Sequence, residues 1–133
     1  MNTGQDRPDQ SFGKTRRLLT ADAFNAVFSE PQIKSAHPQA VLLARPSNQP
    51  CSRMGLVVAK KKIRLACDRN RFKRIAREAF RCHFAVHLPV DVVVIARPGA
   101  GEMDTAALHK MFGKLWRKLQ KRVEQHLREA GAS

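Results

Sequence analysis

Arg69, Asn70, Arg71, Lys73, Arg74 and Arg77 crowd into one short stretch, and Lys60, Lys61 and Lys62 stand just upstream. Side chains of these types do electrostatic rather than covalent chemistry. The planar arginine fork bonds two phosphate oxygens at once, and lysine adds a mobile point charge. At about 100° per residue, a helix over 65–81 sets Phe72, Ile75, Ala76 and Ala79 on one side, with Phe80 at its edge. Asn70, Lys73, Arg74, Arg77 and Arg81 fall on the other side, flanked by Glu78. Arg69 lies near the apolar edge and Arg71 on the far flank. A solvated helix face mixes signs so that charges pair at i,i+4. Here a single acid meets four bases, and a polyanion lying across the face relieves the repulsion. Phosphate binding is the stronger of the two explanations.

The other candidates are weighed in the same way. Lys60-Lys61-Lys62 at the end of a strand could be edge protection, but directly before a basic helix the three extend one electropositive surface. Arg16 and Arg17 add two more cations ahead of the first helix. Phe24 and Phe28, one turn apart, fit either core packing or base stacking, and their spacing alone favours the core. His83 and His87 are i,i+4 with Cys82 alongside, yet no further ligand completes a metal shell. The acids are scattered, without the paired carboxylates of a metal-dependent nuclease. No catalytic residue and no metal ligand are therefore assigned.

Positioning these groups requires an ordered set of elements. Leu19-Thr20-Ala21-Asp22-Ala23-Phe24 opens a helix: Thr20 can cap it, Asp22 suits its dipole, and Leu19 with Phe24 forms a staple. Pro31 ends it after about Ser29. Residues 32–38 form a connection with room for a short edge strand. Strands follow at 40–45 and 54–59, expected to pair as an antiparallel hairpin across the Pro46–Pro50 loop. After the basic helix, Val90 to Arg97 is a β-branched run typical of an interior strand covered on both faces. A last helix starts at Asp104 or Thr105, repeats Leu108, Met111, Phe112, Leu115, Trp116, Leu119, Val123 and Leu127 at helical spacing, and has Gly131 as a stop. Lys110, Lys114, Arg117, Lys118, Lys121 and Arg122 mark its outer side. The α-β-β-α-β-α order implies an α+β fold with a mostly antiparallel central sheet.

The 133 residues suffice for one cored domain without disulfides. Residues 1–13 are expected to be a disordered tail, 14–128 a single nucleic-acid-binding domain, and 129–133 a C-terminal tail. The net charge of +14 exceeds what solubility needs and points to a phosphate backbone, with an anionic membrane second. It is concentrated: residues 53–81 hold 11 Lys and Arg against 2 Asp and Glu. No apolar run approaches the roughly 18 residues that cross a bilayer. Cys51, Cys67 and Cys82, odd in number and without C-x-x-C spacing, suit reduced thiols in a cytoplasmic protein.

Taken together, Gly55-Leu56-Val57-Val58-Ala59-Lys60-Lys61 followed by Ala66-x-x-Arg69-Asn70-Arg71-x-Lys73-Arg74-x-x-Arg77-Glu78-x-Phe80-Arg81 resembles the bacterial ribonuclease P protein component family. Val94-Ile95-Ala96-Arg97-Pro98-Gly99-Ala100 and Arg17-Leu18 with Asp22-x-Phe24-x-x-x-Phe28 fit the same pattern in the same order, so the resemblance spans about residues 14–122. It implies that 14–128 is an RNA-binding domain with a ribosomal-protein-like fold and a left-handed β-α-β crossover, against the general right-handed preference. It also implies that catalysis belongs to a large RNA with bound Mg²⁺, which removes the 5′ leader of precursor tRNA, with one protein expected per RNA. Arg69, Asn70, Arg71, Lys73, Arg74 and Arg77, beside Lys60 and Lys61, then face RNA, and Phe24 and Phe28 line a cleft for the single-stranded leader. Leu43 stands near a place where many relatives offer a Tyr; this chain has no Tyr at all, so apolar contact replaces stacking on that wall. The alternatives are a ribosomal or nucleoid-type structural protein and a self-sufficient metal-dependent nuclease.

Overall fold

The computed structural model describes residues 21–47, 51–84 and 88–132. The expected tail at 1–13, together with Arg16, Arg17, Leu19, Thr20 and His87, lies outside them. Helix α1 (Ala21–Ser29) carries Asp22 in its first turn, where the helix dipole favours an acid, and Pro31 follows its end. Strand β1 (Ile33–His37) occupies the place allowed for an edge strand and is joined by a two-residue turn to β2 (Ala40–Pro46). Next come β3 (Arg53–Val57), the basic helix α2 (Ala66–His83), β4 (Val90–Ala96) and α3 (Thr105–Ala132). Gly131 therefore does not stop the last helix, which runs one residue further and takes in most of the 129–133 tail.

The sheet order is β1-β2-β4-β3. β4 pairs antiparallel with β2 and parallel with β3, so the expected hairpin between the second and third strands does not form. The physical reason lies in β4 itself. All seven of its residues except Ile95 are buried, and an interior strand needs a neighbour on each edge. The long 46–52 connection carries no tight-turn signal that would hold β2 against β3. α2 is then the crossover between the parallel pair β3 and β4.

One sheet face, with Ile33, Leu42, Met54, Val92 and Val94, packs on α2 and α3 to form the main core. Phe72 meets Phe112 edge-on at 5.1 Å between ring centroids, and Phe80 and Phe84 both contact Trp116, at 4.9 and 5.4 Å. Ser35 on β1 faces the same core and donates its hydroxyl to the Leu115 carbonyl at 3.2 Å, which ties the edge strand to the middle of α3. Asp104 caps α3, accepting the Ala107 N–H at 2.7 Å. Gly99, at φ +96°, makes the left-handed turn between β4 and the short 3₁₀ turn Ala100–Glu102. On the opposite sheet face lies α1, anchored by Val27 and Val93, both buried outside the main core. β4 is thus covered on both faces.

Candidate nucleic-acid interface

α2 divides as its periodicity requires. Phe72, Ile75, Ala76, Ala79 and Phe80 are buried. Asn70, Arg74 and Arg81 are exposed, and Lys73 and Arg77 are half-buried at the margins of the same outward face. Arg74 reaches Glu78 at 3.8 Å, and the other oxygen of Glu78 lies 4.0 Å from His109 on α3. Exposed pairs this loose hold their partners by under about 1 kcal/mol, so Arg74 is free to exchange the carboxylate for a phosphate.

Arg69 and Arg71 behave differently. Arg69 donates to the carbonyls of Ile63 and Arg64 at 3.0 and 2.8 Å, turning back on the loop that enters the helix. Arg71 bridges Asp68 and the Gly101 carbonyl, both at 3.4 Å, and so links α2 to the 3₁₀ turn. Both guanidinium groups bond inside the protein. Between them and the bases on the outward face, the basic run splits into residues that build the surface and residues that present it.

Lys60, Lys61 and Lys62 occupy the turn beyond β3, which ends at Val57 and not at residue 59. The N–H groups of Lys62 and Ile63 both bond the Ala59 carbonyl, and the buried Ile63 side chain pins the turn to the core. Lys60 and Lys61 are exposed and Lys62 is half-buried. The Arg69 bonds to this loop hold the lysines beside the outward face of α2.

The second candidate region is α1 together with the outer sheet face on which it packs. Strand register sets Lys34, Leu43, Val93 and Gly55 in one row, and Ala36, Val41, Ile95 and Val57 in the next. Leu43 is half-buried, and its row has the fully buried Val93 at its centre. On α1, Phe24 and Phe28 stack with centroids 6.0 Å apart and planes 24° from parallel. Phe28 is 52 % exposed, whereas its neighbour Val27 is 1 % exposed. The anchoring of α1 therefore falls to Val27, and the Phe28 ring is left open to solvent.

A third row on the same face is Arg45, Asp91 and Arg53. Asp91 accepts two bonds from Arg53, both at 2.9 Å, and the two side chains are largely buried. The Asp91 hydrogen bond raises the Arg53 pKa above its ordinary value, outweighing the opposing effect of burial. Arg45 donates to the Glu30 carbonyl and carboxylate at 3.1 Å each, which clamps the end of α1 to β2. These three residues went unnoticed in the sequence, although one signal was present. An acid inside a β-branched interior strand must find a partner, and Arg53 opens the strand beside it.

No group of three or more His, Cys, Asp or Glu able to hold a metal ion occurs among the described residues. His83 is exposed, and Cys51, Cys67 and Cys82 form no disulfide among the described residues. No helix among the described residues is long and apolar enough to cross a membrane.

The sequence profile of the family described as Ribonuclease P matches residues 12–120. The chain belongs to the ribonuclease P protein family. It is 46 % identical over 110 residues to the ribonuclease P protein component of Pseudomonas aeruginosa, covering 83 % of this chain and 82 % of that one. It is 40 % identical over 124 residues to that of Azotobacter vinelandii, covering 93 % and 95 %. Among solved structures, the Staphylococcus aureus ribonuclease P protein superposes with a TM-score of 0.69 at 26 % identity, over 80 % of this chain and 99 % of that one. The Thermotoga maritima protein gives 0.64 at 28 %, over 77 % and 96 %. The α+β fold with its four-stranded mixed sheet is thus that of bacterial ribonuclease P proteins.

Proposed function

We propose that the chain acts as the protein subunit of ribonuclease P, the endoribonuclease that matures the 5′ end of tRNA, binding the catalytic RNA and the 5′ leader of precursor tRNA. One observation carries the reading: within a fold of this family, an outward cationic helix face accompanies a separate aromatic pair on α1, one ring of which is open to solvent. Asn70, Lys73, Arg74 and Arg77, with Lys60, Lys61 and Lys62, engage phosphates of the catalytic RNA. Arg69 and Arg71 hold that surface in shape through their loop and turn carbonyls. Leader bases rest on Phe28 and Phe24 and against Leu43, while Arg16 and Arg17, ahead of α1 in sequence, are further RNA-binding residues.

Mg²⁺ is assigned mainly to the RNA, where it serves phosphodiester hydrolysis. The protein contributes binding and orientation, one copy per RNA, in the cytoplasm. Purified protein with Mg²⁺ is expected to leave precursor tRNA intact. Adding the catalytic RNA should produce the mature 5′ end, and at physiological salt and low Mg²⁺ the protein should accelerate that cleavage. Cleavage by RNA-free protein would favour a self-sufficient nuclease, and no acceleration of the RNA would favour a ribosomal or nucleoid role.

A further inference from the structure

A groove of about 460 Å³ runs between the end of β1 and the outer side of α3, lined by His37, Lys114, Arg117, Lys118 and Lys121. It belongs to neither region described above. β1 is one edge of the sheet, and β3, which leads into Lys60–Lys62, is the other. Three strand spacings, roughly 14 Å, separate those edges.

Lys114, Arg117, Lys118 and Lys121 follow the i, i+3, i+4, i+7 pattern and form one stripe about 10 Å long. From residue 105 to 123 the sequence has six Lys and Arg and no acid. Among the described residues none of the four stripe cations pairs with a carboxylate. The like charges at 114 and 118, and at 117 and 121, therefore repel without relief. Edge protection does not account for them, because they sit on the helix and not on the strand.

The walls are fixed. Ser35 bonds the Leu115 carbonyl, and Arg122 donates to the Lys34 carbonyl. His37 accepts the Gln39 N–H on Nδ1 at 3.1 Å, which leaves Nε2–H as a further donor on the neutral ring. The lining thus consists of donors strung along a line, with only Ala36 and the buried Leu115 between them. Four cations at helical spacing with no acid among them match a chain of regularly repeated anions better than the irregularly spaced acids of a protein surface.

We propose that the β1–α3 groove is a second RNA-backbone site, where phosphates of the catalytic RNA lie along Lys114, Arg117, Lys118 and Lys121. The proposal rests on the reading that the chain binds that RNA through α2. The test compares two variants in equilibrium binding to the catalytic RNA across a salt series: Lys114→Ala/Lys118→Ala/Lys121→Ala, and Lys73→Ala/Arg74→Ala.

Each phosphate contact adds about 0.7–0.9 to the slope of log K against log salt, so the groove variant is expected to flatten the slope by about two units. Lys114→Arg/Lys118→Arg/Lys121→Arg should restore it, and thermal melting should show all variants folded. A photo-cross-linker at Lys118 in the otherwise unaltered protein should reach an RNA segment different from that reached by one at Lys61. An unchanged slope for the groove variant beside a flattened one for the α2 variant would overturn the groove proposal alone. No change in either variant would overturn the α2 reading as well. Absence of any cross-link from position 118 would also refute the groove site.

Discussion

Phe28→Ala separates a leader-binding ring from a core ring. A fully buried Phe loses about 3–5 kcal/mol on truncation to Ala because a cavity is added to the lost transfer energy. Phe28 is 52 % exposed, so solvent fills the space and only half of a roughly 1.5–3 kcal/mol burial term disappears. Alanine also returns a few tenths of a kcal/mol in helix propensity. The net loss of stability is then at most about 1 kcal/mol, a shift in Tm of some 3 °C for a domain of this size. An aromatic platform beneath a base is worth about 1–3 kcal/mol by the same truncation, equivalent to roughly 5- to 150-fold in Kd. Val27→Ala supplies the contrast, since Val27 is 1 % exposed and two buried methyl groups cost roughly 2 kcal/mol. The assay measures Kd of the reconstituted holoenzyme for precursor tRNAs with progressively longer leaders, alongside Tm of the free protein. Phe28→Ala should weaken long-leader substrates and spare mature tRNA, whereas Val27→Ala should mainly lower Tm. If Phe28→Ala lowers Tm as much as Val27→Ala does and affects all leader lengths equally, the ring belongs to the core and the reasoning fails.

Asp91→Ala strands Arg53 in a largely buried site and should cost about 3 kcal/mol, near the lower end of the range for breaking such a pair. Thermal melting should show a drop of roughly 10 °C, and Arg53→Met/Asp91→Leu should recover most of it. Arg69→Ala removes two bonds to loop carbonyls and should cost about 1–2 kcal/mol. Hydrogen exchange should accelerate at 60–65, while the salt slope of RNA binding changes less than for Arg74→Ala. His37 has its pKa held below the ordinary 6.5, by burial first and by Lys114 second. The unfolded chain therefore takes up its proton before the folded one, so the His37 contribution is complete above about pH 6.5 and is lost as pH falls through the folded value. Urea melts should show His37→Gln less sensitive than the parent to acidification from pH 7 to 5.5; an equal slope would remove His37 as the cause.

Much of the fold was legible because each element carries its own signal. The two faces of α2, the Asp104 cap and the periodic core of α3 all depend on local spacing. Strand order depends on tertiary competition, and there the local signal misled. Strands 40–45 and 54–59 are neighbours in sequence, yet the Val90–Arg97 run already demanded a partner on each edge. Together with the β1–β2 pairing, which fills one edge of β2, that demand places β4 between β2 and β3 and excludes the hairpin. Within the site, angular position separated Arg69 and Arg71 from the outward face but could not show which carbonyls they meet. Those carbonyls belong to the 63–64 loop and to Gly101, thirty residues downstream of Arg71. Phe28 was open for a related reason: spacing makes a face, but only the packing of α1 on the sheet decides how much of that face is covered.

The internal bonds of Arg69 and Arg71 bear on how a basic helix can bind RNA tightly at all. Cations gathered in the first turns of α2 oppose the positive end of its dipole, and the Leu65 N-cap offers no side-chain bond to offset this. Asp68 in the first turn supplies negative charge, and Arg71 holds it. Arg69 meanwhile satisfies two carbonyls of the entering loop and fixes Lys60–Lys62 relative to the helix. On the proposed contacts, the surface is assembled before RNA arrives, and RNA binding need order only the outward side chains of Asn70, Lys73, Arg74 and Arg77. Each long side chain immobilised at an interface costs about 0.5–1.5 kcal/mol, while ordering a flexible loop would add about 1–2 kcal/mol for every residue fixed. If an RNA carries the bond-breaking chemistry, as proposed, the chain can contribute most by avoiding that second cost, and two of its arginines face inward to do so.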